Sequence, residues 1–391
     1  MYDIIFIIYE EGVILNDFIS VAKPHTIKKF EIINNYVDAW ARKILGYTKS
    51  EGLYYIDCMS NCGYYTSENN ESIEGTAVKV AKTLNRIAEN YPSKTIDVFF
   101  NDYDSQKINY LKSKLSLLDL DRIKIHYSIG DCSEFLNSFD LSKIRNRNIL
   151  LVYDPYQAII NWDSLSPFLN SWGEVIINHM VSDTARGAKQ AKKESVIKKY
   201  EQTYKMNISD ILALGDNRQK LDDVVKNIIK KEVENNPRKH HIASFPFFNR
   251  TNGLVYNLLF CSSNVEGIKL FKRTSWDAFG GRSSDKNTHG SERQLTFDLI
   301  NSNLDITIAT DNECYTVSDI AKYIVDKYKS QNEVLLDDVY KNLDVHPVFP
   351  SDGYKSEIKD ELKTYHNVKI IRKNKKQYLV FNEEAIWLTA K

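Results

Sequence analysis

The spacing of hydrophobic residues changes along the chain, and each spacing predicts a different element. Between residues 25 and 46, apolar side chains recur every three or four positions, which predicts a helix with one buried face. Short apolar runs then alternate with helix-periodic stretches. Strands are predicted at 53–57, 96–102, 124–131, 148–155 and 174–180. Helices are predicted between them at 73–90, 105–118, 132–139 and 162–172.

Strands that are nearly continuous apolar runs and alternate with helices indicate a parallel sheet covered on both faces. The predicted fold class is therefore α/β, with a Rossmann-like sheet. Residues 183–240 are rich in Lys and Glu and predict a helical insertion in this sheet. Apolar runs at 243–248 and 254–263 complete the sheet, and a helix follows at 265–279. We assign residues 1–305 to this domain.

Residues 306–391 form a second, smaller domain in our interpretation. Helices predicted at 316–328, 335–343 and 352–365 precede two strands around an Asn-Lys turn, which is the pattern of a winged helix-turn-helix domain. The hairpin is basic and predicts contact with nucleic acid through Lys369, Arg372, Lys373, Lys375 and Lys376. A protein-docking module or a solvated hairpin is the alternative, because charge alone does not identify the partner.

Composition narrows the function only a little. Basic and acidic residues balance at 52 each, so no overall field attracts nucleic acid or a membrane. The 5 cysteines are odd in number, and no second Cys or His pair lies near Cys58 and Cys62. This arithmetic predicts reduced thiols, no metal site and a cytoplasmic location. The apolar run IIFII near the start is too short for a membrane span, and its flanking charges are wrong for a secretory signal.

Four successive predicted strands end in an acid: Asp57, Asp102, Asp131 and Asp154. Ligands of open parallel sheets bind beyond the carboxyl ends of the strands, so we expect these acids at one site. The turn after the first strand has a single glycine, Gly63, and lacks the dinucleotide fingerprint GxGxxG. That favours S-adenosylmethionine as the cofactor.

In this interpretation Asp57 and Gly63 hold the methionine part of the cofactor, because a glycine permits close approach of the backbone. Asp102 accepts hydrogen bonds from the ribose hydroxyls, and Asp131 accepts one from the adenine amino group. The alternative for each acid is an exposed strand-end carboxylate or a helix N-cap.

The fourth predicted strand ends in Asp154-Pro155-Tyr156. Methyltransferases acting on exocyclic amines have an Asp/Asn-Pro-Pro-aromatic loop at this place. There the side-chain oxygen and the proline carbonyl accept from the NH₂ group, and the aromatic ring stacks on an unstacked base. Here only one proline is present, and Asp-Pro is also an ordinary way to end a strand.

Six blocks of the chain resemble, in order, the three-Cys-motif partner proteins, called TcmP. The blocks are HTIKKFEIINNYVDAW (25–40), YYIDCMSNCGYY (54–65), EGTAVKVAKTL, FFNDYD (99–104), YDPYQ (153–157) and EVIINHM (174–180), and the likeness covers about residues 20–280. The first and fourth blocks also look like methyltransferases that modify adenine N6 in ribosomal RNA. In three blocks the sequence departs from the family: one glycine is lost before Gly63, Glu74-Gly75-Thr76 replaces Gly-Ser-Pro, and Gln157 replaces a glycine.

The resemblance implies a class I methyltransferase fold, a bacterial or mobile-element setting and a following winged helix. It also implies a radical-SAM-like partner that carries the three cysteines. His25, Lys28 and Lys29 match the opening block of the family. At the start of a helix, these three residues are expected to contact phosphate or to cap the cofactor pocket, with a solvated helix face as the alternative.

The sequence thus predicts an S-adenosylmethionine-dependent methyltransferase that modifies an exocyclic amino group of DNA or RNA. The first alternative is a degenerate Rossmann-like scaffold that binds a partner protein or nucleic acid. The lost glycine favours this alternative, and the four retained acids disfavour it. A Mg²⁺-dependent nuclease has less support, because no Asp/Glu-x-Lys spacing accompanies the acids.

Overall fold

The computed structural model describes residues 18–144, 146–157, 159–214, 217–286 and 314–381. The strands are β1 (Gly52–Asp57), β2 (Tyr64–Thr66), β3 (Ser72–Glu74), β4 (Thr95–Asp102), β5 (Lys124–Ile129), β6 (Arg147–Tyr153), β7 (Glu174–His179), β8 (His241–Phe248), β9 (Leu254–Ser262), β10 (Glu333–Leu335), β11 (Lys369–Lys373) and β12 (Lys376–Val380). The helices are α1 (Pro24–Gly46), α2 (Thr76–Ala88), α3 (Ser105–Leu115), α4 (Cys132–Asn137), α5 (Trp162–Leu169), α6 (Val181–Gln190), α7 (Glu194–Tyr204), α8 (Ile208–Ala213), α9 (Arg218–Glu232), α10 (Val265–Ala278), α11 (Val317–Tyr328), α12 (Leu336–Asp344) and α13 (Lys355–His366).

Seven strands form the main sheet in the order β5-β4-β1-β6-β7-β9-β8. The first five pair in parallel, and β9 runs antiparallel to both of its neighbours. The order reverses between β1 and β6, so a crevice for ligands is expected beyond their carboxyl ends. The prediction of a Rossmann-like α/β fold is confirmed, and the order is that of a class I methyltransferase sheet. The two-stranded hairpin of β2 and β3 was not predicted.

Helices cover both faces of the sheet. On one face, α1, α2 and α10 bury large side chains such as Tyr36, Trp40 and Phe271 against the strands. On the other face, α4, α5 and the helical insertion pack on Leu151 and Ile177. The predicted period of α1 is confirmed at its centre, where Phe30, Ile33, Val37 and Trp40 are buried, although its first apolar residue is exposed.

The predicted helical insertion consists of α6 to α9, and a buried histidine ties it to the sheet. His179, the last residue of β7, has its Nδ1 2.7 Å from Oδ1 of Asp222 in α9. Its Nε2 lies 2.8 Å from Oη of Tyr204, the last residue of α7. All three side chains are buried. The insertion is therefore fixed at the carboxyl end of β7, the same edge at which the acid-ended strands finish.

Residues 314–381 contain the three predicted helices α11 to α13 and the predicted hairpin. The hairpin turn has left-handed backbone at Asn374 and Lys375, with φ of 48° and 64°. Strand β10, which was not predicted, pairs with β12 and makes a three-stranded antiparallel sheet. This C-terminal unit packs on α10, where Nε1 of Trp276 donates to the Val348 carbonyl at 3.0 Å. The predicted boundary near residue 305 lies outside the described residues.

Candidate functional site

A cavity of about 770 Å³ opens at the carboxyl ends of β1, β4, β5 and β6. It lies where parallel α/β sheets bind their ligands. Most of its lining residues follow one of these four strands, and the helical insertion adds two more from α7. The lining comprises Cys58, Met59, Asp102, Tyr103, Asp104, Lys107, Gly130, Asp131, Cys132, Ser133, Tyr153, Pro155, Tyr156, Gln157, Ile159, Ile160, Asn161, Lys199 and Gln202.

Asp102 is the strand-end acid best placed to bind a ligand. It ends β4, lines the cavity and is almost fully buried. Its Oδ2 accepts from the backbone N–H of Asn61 at 2.9 Å, and its Oδ1 accepts from that of Asp104 at 3.0 Å. Since a carboxylate has about four acceptor positions, these two bonds fix the group and still leave positions for ligand hydroxyls.

The turn after β1 contains two left-handed residues, Asn61 at φ 58° and Gly63 at φ 75°. Asn61 stands where the resembling family has its additional glycine, and Asn is among the few other residues that adopt this conformation readily. A Cβ on Gly63 would lie 2.6 Å from Cδ1 of Leu111 and 2.9 Å from Cγ2 of Val78. Gly63 is therefore required for packing, and it does not line the cavity.

Asp57, expected to hold the cofactor, is buried behind the cavity wall rather than in it. Its Oδ1 accepts from the backbone N–H of Met59 at 3.3 Å. Burial, with the nearby charges of Asp154 and Asp102 acting in the same direction, raises the pKa of Asp57 to about 8. The side chain is mainly neutral at pH 7, so in this arrangement it offers no full negative charge to a ligand.

Asp131 lines the cavity but also caps α4. Its Oδ1 accepts from the backbone N–H groups of Ser133 at 2.7 Å and Glu134 at 3.4 Å. The helix-cap alternative considered from the sequence therefore describes what this side chain does. The remaining acceptor positions of the carboxylate stay open to the cavity side.

Asp154 is held on both oxygens. Its Oδ2 lies 2.5 Å from Nζ of Lys29, and its Oδ1 accepts from Nδ2 of Asn178 at 2.5 Å. Lys29 was expected to contact phosphate, cap the cofactor pocket or lie on a solvated helix face. It is 7% exposed, so it is not solvated, and it points from α1 into the protein toward Asp154. The next two residues of the loop, Pro155 and Tyr156, do line the cavity.

The ring of Tyr156 is half exposed at the cavity mouth and carries a cation on one face. Nζ of Lys107 lies 4.3 Å from the ring centroid and donates to Tyr156 Oη at 2.6 Å. Tyr103, beside Asp102, is 81% exposed at the same mouth. The mouth therefore presents two aromatic rings to an incoming group.

The other basic residues expected to contact phosphate or nucleic acid lie in α1 and in the C-terminal hairpin. Lys28 donates to Oε2 of Glu31 at 2.7 Å and to the Ala278 carbonyl at 2.8 Å. Burial lowers the pKa of His25 to about 4, with the charges of Lys23 and Lys29 acting in the same direction, so His25 is neutral at pH 7. The five basic residues of the hairpin are all exposed, and Lys373 pairs with Glu333 at 2.5 Å.

Sequence reasoning missed the residues that reach the cavity from helices. Lys107 lies in α3, and Lys199 and Gln202 lie in α7. The spacing of three between Lys199 and Gln202 puts both on one side of α7, but the sequence has no signal for which side faces the cavity.

Within the described ranges, no cluster of three or more His, Cys, Asp or Glu could hold a metal ion. Nor does any helix there have the length and apolar character to cross a membrane.

Comparison with known proteins yields weak likenesses to methyltransferase structures. No protein-family model matches the chain, and no curated protein matches it. The O-methyltransferase TomG from Streptomyces achromogenes, solved with SAM, is 9% identical, with 59% of this chain and 79% of that chain covered and a TM-score of 0.33. Human methyltransferase-like protein 13, solved with SAH, is 12% identical, with 70% and 99% covered and a TM-score of 0.31.

An rRNA methylase from Streptococcus thermophilus is 12% identical, with 57% of this chain and 93% of that chain covered and a TM-score of 0.29. At such identities and TM-scores the likenesses carry no argument about activity, and the fold assignment rests on the strand order. The resemblance to TcmP proteins stays a prediction.

Proposed function

We propose that the chain is an S-adenosylmethionine-dependent methyltransferase acting on an exocyclic amino group of DNA or RNA. The observation that supports the proposal is the cavity beyond the carboxyl ends of β1 and β6, where the strand order of the sheet reverses. One wall of this cavity contains Asp102 after the second strand of the parallel order, and another contains Pro155 and Tyr156 after the fourth. These are the positions at which the sequence predicts a ribose contact and an acceptor loop.

The lining residues fit the cofactor's nucleoside part better than its methionine part. Asp102 is fixed by two backbone N–H groups and keeps acceptor positions suited to ribose hydroxyls. Met59, Cys132 and Ile160 give the cavity apolar wall against which a purine can pack. The cavity volume is within the usual range for small-ligand sites. When bound, the cofactor supplies an electrophilic methyl group.

The chain's own contribution to the reaction is mainly positioning. The Asp154 carboxylate and the Pro155 carbonyl accept hydrogen bonds from the acceptor NH₂, which orients the nitrogen lone pair. Lys29 and Asn178 orient the Asp154 carboxylate before a ligand binds. Tyr156 and Tyr103 stack with the base at the mouth, and the basic hairpin recruits the nucleic acid. A radical-SAM-like protein with three cysteines is the proposed partner.

The first test is cofactor binding by calorimetry. S-adenosylmethionine should bind the wild-type protein, and Asp102→Ala should weaken binding at least about tenfold, because hydrogen bonds to a charged group contribute about 1.5–3 kcal/mol. Asp121→Ala is the matched control, since Asp121 is exposed and is not among the residues that line the cavity. Absence of binding by the wild type, or equal binding by Asp102→Ala, contradicts the proposal.

A non-enzymatic scaffold is the second candidate, and one observation favours it. Both oxygens of Asp154 already have protein partners, and the backbone N–H groups of Met59, Ser60, Asn61 and Cys62 are bonded within the protein. Asp154→Ala separates the two candidates. For a methyltransferase it abolishes transfer of labelled methyl groups to nucleic acid and spares nucleic-acid binding. If the chain is a scaffold, neither the wild type nor Asp154→Ala transfers methyl groups, and both bind nucleic acid equally.

A further inference from the structure

The cavity has walls of opposite charge. The acids that line it, Asp102, Asp104 and Asp131, all follow strands β4 and β5. The side formed by the helical insertion carries Lys199 and Gln202 of α7 and no acid. S-adenosylmethionine is a sulfonium cation, so the acidic wall suits the cofactor. The opposite wall suits a ligand group that is negative.

The position of α7 is fixed by buried bonds near its C-terminal end. Oγ1 of Thr203 accepts from the backbone N–H of Ile160 at 2.9 Å, and the Thr203 carbonyl accepts from Nε1 of Trp162 at 2.8 Å. The adjacent Tyr204 bonds to His179 at the end of β7. These anchors join α7 to the loop after β6 and to β7. Lys199 and Gln202, less than two turns away, are thereby held at the cavity.

Lys199 is a cation without a partner in the described part of the chain. Its ammonium has no ion pair and no hydrogen bond there, and the side chain is exposed at the cavity. The other lysine of the cavity, Lys107, is already bonded to Tyr156. On the same helix, Lys198 pairs with Glu194 at 2.7 Å and does not line the cavity. Lys199 lines the same cavity as the rings of Tyr103 and Tyr156. A cationic groove with aromatic rings binds single-stranded nucleic acid, because bases stack on the rings and phosphates pair with the cation.

We infer that α7 is the acceptor-side wall of the site, with Lys199 binding a phosphate of a single-stranded or flipped-out nucleotide and Gln202 donating to the same nucleotide. The inference rests on the proposed function and deepens it, because it assigns the acceptor's backbone to the helical insertion. The hairpin of the C-terminal unit then recruits the strand, and Lys199 fixes the one nucleotide that enters the cavity.

The test is the salt dependence of binding a short single-stranded oligodeoxynucleotide of mixed sequence. Loss of one phosphate contact lowers the slope of log K against log salt by about 0.7 for single strands. We expect Lys199→Ala to lower the slope by this amount and to weaken binding about fivefold at low salt. Lys198→Ala, one residue away and equally exposed, should change neither. With uncharged methylphosphonate linkages, the wild type and Lys199→Ala should bind alike.

An unchanged slope in Lys199→Ala, an equal loss in Lys198→Ala, or no oligonucleotide binding by the wild type overturns the inference. Calorimetry with S-adenosylmethionine on the same proteins distinguishes failure of this inference from failure of the proposed function. Lys199→Ala should retain wild-type cofactor affinity. If the wild type binds oligonucleotide through Lys199 but binds no S-adenosylmethionine, the proposed methyltransferase function is contradicted. The inferred phosphate contact of Lys199 is then still supported.

Discussion

Two regions of the molecule bury a lysine, and they compensate its charge in different ways. At the candidate site, Lys29 of α1 faces the Asp154 carboxylate. At the contact between α10 and the C-terminal unit, which we call the seam, Lys272 is fully buried and donates to backbone carbonyl groups. Its Nζ lies 2.5 to 3.0 Å from the carbonyl oxygens of Leu343, Asp344, His346 and Phe349.

The difference separates a fixed contact from one that a ligand can rearrange. Burial lowers the pKa of Lys272 to about 7, while the four carbonyl oxygens favour its ammonium form. Those acceptors belong to the main chain and cannot turn away without unfolding the end of α12. The partner of Lys29 is a side chain with 24% exposure, so another charged or hydrogen-bonding group can share or replace it. We therefore expect the seam to serve stability and the pair at the site to serve function.

The largest expected effect is the loss of stability when Lys272 is replaced at the seam between α10 and the C-terminal unit. Lys272→Met keeps the length of the side chain and removes its donors, so four buried carbonyl groups lose a partner. We expect a loss of about 3–5 kcal/mol in the free energy of unfolding, measured by urea denaturation. Lys269→Met is the matched control one turn earlier in α10. Its salt bridge to Glu266 is near the surface, and its loss should cost less than about 1 kcal/mol. Equal losses in both variants would contradict a special role for the carbonyl cluster.

The second-largest expected effect is a pH dependence of the free energy of unfolding, produced by Asp57. Its pKa of about 8 in the folded protein lies above the ordinary 3.8, so the folded protein holds a proton that the unfolded chain releases. This contribution to stability is complete below about pH 4 and is lost as the pH rises through about 8. Asn cannot ionise, so stability of Asp57→Asn relative to the wild type should rise by on the order of 3 kcal/mol between about pH 5 and pH 8.

Parallel urea titrations at the two pH values measure the change. Asp121→Asn, at an exposed position, is the control and should keep a constant difference from the wild type. A constant difference in Asp57→Asn as well would mean that Asp57 is ionised in the folded protein. That result would restore Asp57 as a negative charge beside the cavity.

Most of the fold was predictable because its signals are local. Four of the five strands of the parallel sheet are short and largely apolar runs, whereas β5 (KIHYSI) is partly polar, and the helices between the strands keep a period of three to four. The three-residue strands β2, β3 and β10 were missed, because so few residues have no measurable period. The order of the strands has no local signal in the sequence, and it was seen only in the structure.

The site was less predictable, because its geometry depends on which strand-end side chains turn toward the cavity. Asp102 and Asp57 end neighbouring strands with the same sequence signature, yet one lines the cavity and the other lies behind its wall. Which of the two side chains reaches the cavity depends on the path of the following turn. The ion pair of Lys29 joins residues 125 positions apart, and no spacing rule connects them. Contacts between distant segments are the part that needed the structure.

The smallest expected effect tests whether the pair at the site is a strong structural contact or an exchangeable one. In a double-mutant cycle, Lys29→Met, Asp154→Asn and the combined variant are compared by urea denaturation. A partly exposed pair that is easily replaced should show a coupling energy of about 1–2 kcal/mol, well below the loss expected at Lys272. Because Asn178 still donates to the residue at position 154, Asp154→Asn should disturb the loop little. A coupling energy as large as the loss expected for Lys272→Met would contradict an exchangeable pair and would show that Lys29 locks the loop.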